Sequence, residues 1–326
     1  MSRVLVTGAN GYLGTRLVAD LLRDGTPVRA AVRSLDVEAG LREAVRRGGT
    51  DDDGLELVVA GITAADGWDQ ALAGVAEVYH LATPMHHGLD PERIVGPARD
   101  GVLHVLRAAR DAGARRVVLT SSFAAVGYSP KPGRDYTEDD WTDPDTPGLA
   151  PYPRSKAIAE RAAWDFVERE GGGTELVAIN PTWIAGPTLT TEVRSSLHVV
   201  KALIEGTVTV VPRQRFGVAD VRDVAELHIT AMRTPEAAGR RYLALADGPT
   251  TTFVQVARLF RDRFGAFAGR VTLDEASGDE PPPLTIHNDR ARRELGFRPR
   301  PAETTLVETV QSMLDLGITD FSPGEV

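Results

Sequence analysis

The chain has 326 residues, is 42% hydrophobic and 25% charged, and carries a formal net charge of −9. That length supports one large or two medium domains with a sizeable core, and the acidic balance argues against a nucleic-acid surface, which needs clustered Lys and Arg. The sequence has no cysteine, which excludes disulfides, thiolate nucleophiles and zinc–cysteine sites, and no run of about 18 apolar residues is present to span a membrane.

In chain order, Arg3–Thr7 reads as a short buried strand that runs directly into Gly8, Gly11 and Gly14. A helix over 12–24 follows, with Leu13, Leu17, Val18, Leu21 and Leu22 on one face before Asp24-Gly25 stops it. A strand, a tight turn and a helix N-terminus together make an anion site, because the first backbone N–H groups are unpaired and the helix dipole favours negative charge. Gly8 permits the turn, Gly11 beside Asn10 lets a pyrophosphate approach the backbone, and Gly14 lets helix and strand pack closely. On its own, such a turn could need glycine for geometry alone.

Further strands are predicted at Val28–Val32, Leu55–Ala60, Glu77–Leu81, Arg116–Thr120 and Glu175–Asn180, alternating with helices near 66–73, 91–112 and 152–170. Segment 36–54 reads as a helix plus an exposed, charged loop. Alternation of this kind, with strands that are continuous apolar runs, predicts an α/β fold: a doubly wound parallel sheet covered on both faces. After Asn180 the pattern breaks. Residues 181–219 are loop-rich with a helix near 194–205, Asp220–Arg233 is helical, and Arg240–Ala246 reads as a strand returning to the main sheet. Helices near 252–264, 288–295 and 302–316 complete the chain around Pro281-Pro282-Pro283. Such a tail cannot extend a regular parallel sheet, so it is expected as a smaller lobe over the carboxyl edge, where ligands bind in this class. The expected division is 1–180 plus about 220–248 as a dinucleotide-binding domain, and 181–219 plus about 249–326 as a substrate lobe. The N-terminus lacks a basic region followed by an apolar stretch, so a soluble cytoplasmic protein is expected.

Three stretches carry chemistry. The tip of strand two is Val32-Arg33-Ser34. An acid there would bind ribose hydroxyls and repel a 2′-phosphate, whereas a guanidinium with a neighbouring hydroxyl suits the phosphate. NADPH/NADP is therefore expected, with Asp36 the counter-candidate for NADH. Tyr152 and Lys156 stand four apart on a helix and share a face. An ammonium close to a phenol stabilises the phenolate, which suits proton transfer to or from a carbonyl oxygen. Thr120-Ser121-Ser122 end a strand, so one hydroxyl is expected to cap the next turn and another to hold a substrate carbonyl. Pro84, Met85, Trp183 and Phe216 are expected as apolar walls of the substrate pocket. Adjacent His86 and His87 point apart and lack further ligands at suitable spacing, so they are expected to rim the substrate mouth, with no metal site. Asp220, Arg222 and Asp223 read as a structural polar cluster on a helix.

TGANGYLG at 7–14, TSS at 120–122 and YPRSK at 152–156 together resemble the signature set of short-chain dehydrogenases/reductases, and the longer chain with a C-terminal lobe is similar to the extended branch. AVR at 31–33, HLATPM at 80–85, NPTWIAGP at 180–187 and DVRDVAELH at 220–228 resemble its dihydroflavonol-reductase and aldehyde-reductase group. The resemblance spans residues 1 to about 230 and implies a Rossmann-type fold. It implies Tyr152 as general acid, Lys156 as the group that lowers the tyrosine pKa and holds the nicotinamide ribose hydroxyls, and Ser122 as the donor to the substrate carbonyl, with Ser121 a close rival. Tyr12 and Leu13 would lie by the pyrophosphate, Leu81, Ala82 and Thr83 along the cofactor with Thr120 and Ser121, and Pro181 and Ile184 beside the nicotinamide. Two positions depart from the family pattern. Asp100 stands where a helix asparagine supports the lysine through water, and Ala60-Gly61-Ile62 stands where an aspartate reads the adenine, leaving Gly61 and Ile62 at that contact.

The expected activity is NADPH-dependent reduction of a ketone or aldehyde in a hydrophobic or aromatic small molecule. A nucleotide-sugar epimerase or dehydratase is the alternative enzyme, but Phe123-Ala124-Ala125 replaces the acidic pair of the dehydratases and Arg33 replaces the acid of the epimerases. A non-catalytic NADP(H)-binding sensor is the alternative outside enzymes, against which the chain keeps both Tyr152 and Lys156. Helices 91–112 and 152–170 are the surfaces that could pair in a homodimer.

Overall fold

The structure, a computed structural model, describes residues 3–64, 66–84, 92–194, 196–265 and 269–319. Its centre is a seven-stranded sheet built from the apolar runs of the sequence. The strands are β1 (Val4–Thr7), β2 (Val28–Val32), β3 (Leu55–Val59), β4 (Glu77–His80), β5 (Arg116–Thr120), β6 (Glu175–Pro181) and β7 (Arg241–Ala244). Every pairing is parallel, in the order β7-β6-β5-β4-β1-β2-β3. The order reverses between β1 and β4, which opens a crevice at their carboxyl ends. Register aligns those ends: Thr7 lies opposite Ala31 on one side and His80 on the other.

Helices cover both faces, as a sheet of apolar strands requires. On one face lie α1 (Tyr12–Arg23), α2 (Glu38–Arg47) and α7 (Val221–Arg233), with Leu17, Leu41, Val45 and Val224 packed on Val6 and Val28. On the other lie α3 (Trp68–Leu72), α4 (Glu92–Asp111) and α5 (Pro151–Glu170), with Leu72, Val105, Leu106 and Phe166 packed on Leu5 and Val117. The charged segment after α2 is more ordered than a solvated run, because Arg42 donates to the Asp52 carboxylate at 3.0 Å.

A third cluster forms the smaller lobe from α6 (Leu197–Ile204), α8 (Phe253–Arg263) and α10 (Ala302–Asp315), around Val200, Leu203, Phe260, Val310 and Met313. The intervening helix α9 (Asp289–Leu295) turns back to the sheet side, where Ala291, Leu295 and Phe297 join the cluster of α1 and α7. Asp220 ties the units together: it accepts from the Arg222 N–H at the start of α7 (2.9 Å) and from Thr305 of α10 (2.8 Å), while Asp223 accepts from the Arg300 N–H at 2.6 Å. The Asp220–Arg222–Asp223 group is thus a cap and an anchor. No helix among the described residues is long and apolar enough to cross a membrane.

Candidate active site

The crevice begins with backbone. Gly8 has φ of +66°, which favours glycine, and a Cβ there would sit 2.9 Å from the Ala82 nitrogen. A Cβ on Gly14 would sit 2.0 Å from the Gly8 carbonyl oxygen, so α1 can start this close to β1 only with glycine. Gly11 is the N-cap of α1 and offers no side chain, so the first amides of the helix face the crevice without a capping partner. The neighbouring loop is pinned by Thr7. Its hydroxyl accepts from the Leu81 and Ala82 amides at 3.1 Å each, and so donates to His80 Nδ1 at 2.8 Å. Burial, reinforced by the Lys156 charge, pushes the His80 pKa down to about 3, and the ring stays neutral.

A cleft of about 2030 Å³ runs from this turn to the lobe. Its walls bring together nearly all the residues expected from the sequence: Gly8, Asn10, Gly11, Tyr12, Leu13, Gly14, Arg33, Ile62, Leu81, Ala82, Thr83, Pro84, Thr120, Ser121, Ser122, Tyr152, Lys156, Pro181, Trp183, Ile184 and Phe216. Ser34 and Gly61 are not among the wall residues. The Ser34 hydroxyl donates to Asp36 at 2.8 Å and caps the turn Leu35–Val37, which holds it back from the cleft. Met85, His86 and His87 lie outside the described residues. Tyr12 departs from expectation in one respect: its buried hydroxyl donates to the Gly186 carbonyl at 2.5 Å, so only its backbone is available to an anion.

Tyr152 and Lys156 sit in the first two turns of α5, whose Pro151 and Pro153 are tolerated because the first helical N–H groups need no intrahelical partner. Tyr152 is 43% exposed, and it opens onto the cleft. Its hydroxyl lies on the Ser122 side of the cleft, and the Ser122 oxygen accepts from the Ala124 amide at 3.1 Å. Ser122 therefore both caps the turn Phe123–Ala125 and faces Tyr152. Ser121 does neither, since its buried hydroxyl donates to Glu160 at 2.5 Å. The third hydroxyl of the group, Thr120, is spent on His228. His228 Nδ1 donates to the Val224 carbonyl at 2.7 Å, which leaves Nε2 to accept from Thr120 at 2.7 Å. Burial pushes the His228 pKa down to about 4.

Lys156 is buried, with Nζ donating to Thr83 at 2.9 Å and lying 6.0 Å from the Tyr152 ring centroid. Burial lowers its pKa to about 8, opposed by the charge of Glu160 one turn on. The Tyr152 phenol behaves unlike the sequence expectation. Its pKa is raised, first by burial, with the Ser122 hydroxyl pulling the other way. The physical reason is that the ammonium is aimed at Thr83 rather than at the phenol oxygen. Asp100 takes no part, being half exposed and paired with Arg99.

Behind these groups is a buried network that the sequence did not reveal. Glu160 accepts from Arg241 Nε (2.6 Å), Asn180 Nδ2 (2.7 Å), Trp164 Nε1 (3.2 Å) and Ser121. Arg241 also donates to the carbonyls of Glu138 and Asp140 and lies 3.6 Å over the Trp141 ring. Asn180 Nδ2 donates to the Ser122 carbonyl at 3.2 Å, so the network fixes the backbone that presents Ser122.

At the lobe end, Trp183 and Phe216 meet edge to face with centroids 5.1 Å apart, and Phe253 lies 4.6 Å from Phe216. Phe253, Tyr128, Arg213 and Arg215 line this end and carried no sequence signal, since they lie in loops, at a helix start or, for Arg215, in the two-residue strand Arg215–Phe216, and no motif marks them. No group of three or more potential metal ligands occurs among the described residues.

The chain is similar to known proteins along most of its length. Residues 4–244 match the model of the NAD dependent epimerase/dehydratase family. The chain is 33% identical over 320 residues to cinnamoyl-CoA reductase CAD2 of Medicago truncatula, covering 95% of each. It is 32% identical over 270 residues to dihydroflavonol 4-reductase of Hordeum vulgare, covering 80% of this chain and 75% of that one. Among solved structures it is similar to yeast methylglyoxal/isovaleraldehyde reductase Gre2 complexed with NADPH, with a TM-score of 0.82, 27% identity, and coverage of 97% of this chain and 99% of that one.

Proposed function

This chain belongs to the NAD dependent epimerase/dehydratase family, within the extended short-chain dehydrogenases/reductases, and from that premise we propose that it reduces the carbonyl group of a hydrophobic or aromatic small molecule with NADPH, Tyr152 acting as general acid. It is an NADP-dependent oxidoreductase. The observation that carries the reading is the meeting of Ser122, Tyr152 and Lys156 in the cleft that opens from the glycine turn.

The residues present fit the cofactor. The uncapped start of α1 suits a pyrophosphate, and the glycine cradle that a Cβ would fill lets it approach. Arg33 is exposed on the cleft wall and makes no ion pair among the described residues, so its guanidinium is available to a 2′-phosphate. The carboxylate of the NADH counter-candidate, Asp36, is held by Ser34. Pro181 and Ile184 would flank the nicotinamide, and Lys156 would hold its ribose hydroxyls.

When bound, NADPH supplies the hydride that the carbonyl carbon receives. Ser122 donates to the carbonyl oxygen and aligns it. Tyr152, kept protonated by its raised pKa, gives that oxygen a proton. The Lys156 ammonium, held on Thr83 while the phenol is neutral, would be drawn towards the phenolate that results. Because burial sets the Lys156 pKa to about 8, the rate should fall as pH rises through that value. The buried turn Phe123–Ala125 puts no acid next to Ser122, which favours reduction over the elimination chemistry of a dehydratase.

The test is a panel of aromatic and aliphatic ketones and aldehydes, followed by NADPH consumption, for the wild type and Tyr152→Phe. Loss of the proton donor should lower kcat at least about a hundredfold. Equal turnover by the two proteins would overturn the assignment.

A further inference from the structure

We infer that Glu160 is a positioning residue of the reaction: from behind the site its buried carboxylate keeps Lys156 in the charged form and fixes the strand end that presents Ser122, without touching substrate or cofactor. This rests on the reductase reading above and concerns how the same site is held ready.

Glu160 lies one turn beyond Lys156 on α5, so the two side chains share a face. Both line a cavity of about 20 Å³ behind the cleft, together with His80, Thr83 and Ser121. The Glu160 side chain has no exposed surface, and its ion pair with Arg241 is matched by hydrogen bonds from Ser121, Asn180 and Trp164. Arg241 reaches it from β7, where the guanidinium also takes the Glu138 and Asp140 carbonyls and covers the Trp141 ring. Arg241 is not among the residues lining the cavity, so its charge is gathered on the far side of the carboxylate from Lys156.

The groups that face Lys156 offer no other anion among the described residues. Its own helix brings Tyr152, and β4 with the loop after it brings His80, which stays neutral, and Thr83. From β5 come the hydroxyls of Thr120 and Ser121, and from α4 the apolar Ala98 and Val102, while Asp100 is paired with Arg99. Glu160 is therefore the charge that opposes the loss of the Lys156 proton favoured by burial. The same carboxylate acts on Ser122 through Asn180, whose Nδ2 donates both to Glu160 at 2.7 Å and to the Ser122 carbonyl at 3.2 Å. One buried anion thus serves two of the three groups that meet at the substrate carbonyl.

The experiment measures kcat/KM at saturating NADPH from about pH 6 to about pH 10, with the carbonyl compound of the panel above that the wild type reduces best. Glu160→Gln keeps the shape and an acceptor oxygen and removes the charge. Without the anion the neutral amine is favoured, so the alkaline fall in rate should begin about one pH unit lower than in the wild type. A role in stability alone would lower the rate at every pH and leave that fall where it is. Should the single variant not fold, Glu160→Gln/Arg241→Met leaves no buried charge unpaired and is read in the same way. A downward move of at least about half a pH unit supports the inference. A smaller or an upward move overturns it, as does a wild type with no alkaline fall in this range. If the wild type reduces no carbonyl at all, the reductase reading itself fails, a result distinct from an unmoved fall.

Discussion

At the β1 end of the cleft the wall is made by backbone: Gly8 and Gly14 leave no space for a Cβ, and the loop opposite is held by amides on the Thr7 hydroxyl. At the lobe end the wall is made by side chains, with Tyr128, Trp183, Phe216 and Phe253 arriving from stretches far apart in sequence. A backbone wall recognises what is common to every reaction of the class, a phosphate and a ribose, and tolerates no change. A side-chain wall can be altered residue by residue without disturbing the sheet, and on the proposed reading it would set the choice of substrate.

The largest effect should come at the seam between the two ends. Glu160→Ala leaves Arg241 buried without its carboxylate and frees Ser121 and Asn180. The expected cost is about 3–5 kcal/mol in urea unfolding; a variant as stable as the wild type would show that the network is not what joins the ends. Gly14→Ala tests the backbone wall itself, since the new Cβ would overlap the Gly8 carbonyl. NADPH affinity, read by fluorescence titration, should fall about a hundredfold, and binding within threefold would break the comparison.

Arg33 is the exception at this end, a side chain proposed to discriminate between the cofactors. Arg33→Ser should lower the NADPH over NADH ratio of kcat/KM about thirtyfold, the worth of a charge-assisted pair. His228 reports on the scaffold through pH. Its pKa is about 4 in the fold against an ordinary 6.5, so the unfolded chain takes up the proton first and stability is lost as pH falls from about 6.5 towards 4. Between pH 7 and 5 this amounts to roughly 2 kcal/mol, and His228→Gln should remove that part of the decline in unfolding free energy. The smallest effect is expected at the lobe end. Phe253→Leu keeps the apolar volume but loses the ring contact with Phe216, and KM for an aromatic ketone should rise about threefold.

The same contrast governs what could be read without coordinates. The strands, the glycine turn and the Tyr152–Lys156 pair were legible because each depends on a period or spacing within a few residues. The preference of Ser122 over Ser121 was not legible, since it turns on Glu160, a residue from another element that claims the Ser121 hydroxyl. The Tyr152 pKa was expected downward and lies upward, because the sequence gives the four-residue spacing to Lys156 but not the Thr83 hydroxyl that draws the ammonium aside. Ser34 was expected on the cofactor and instead caps its own turn, a local competition that depends on backbone angles.

Sequence by itself determined the doubly wound sheet, its order of strands and helices, and the chemical kind of the site, because apolar periodicity and glycine stereochemistry act over short range. Tertiary structure alone decided which hydroxyl faces the phenol, which charges are buried and which aromatic rings meet across the cleft. Those outcomes are set by burial and by competition among groups brought together only when the sheet and the lobe pack, as with Glu160 from α5 and Arg241 from β7.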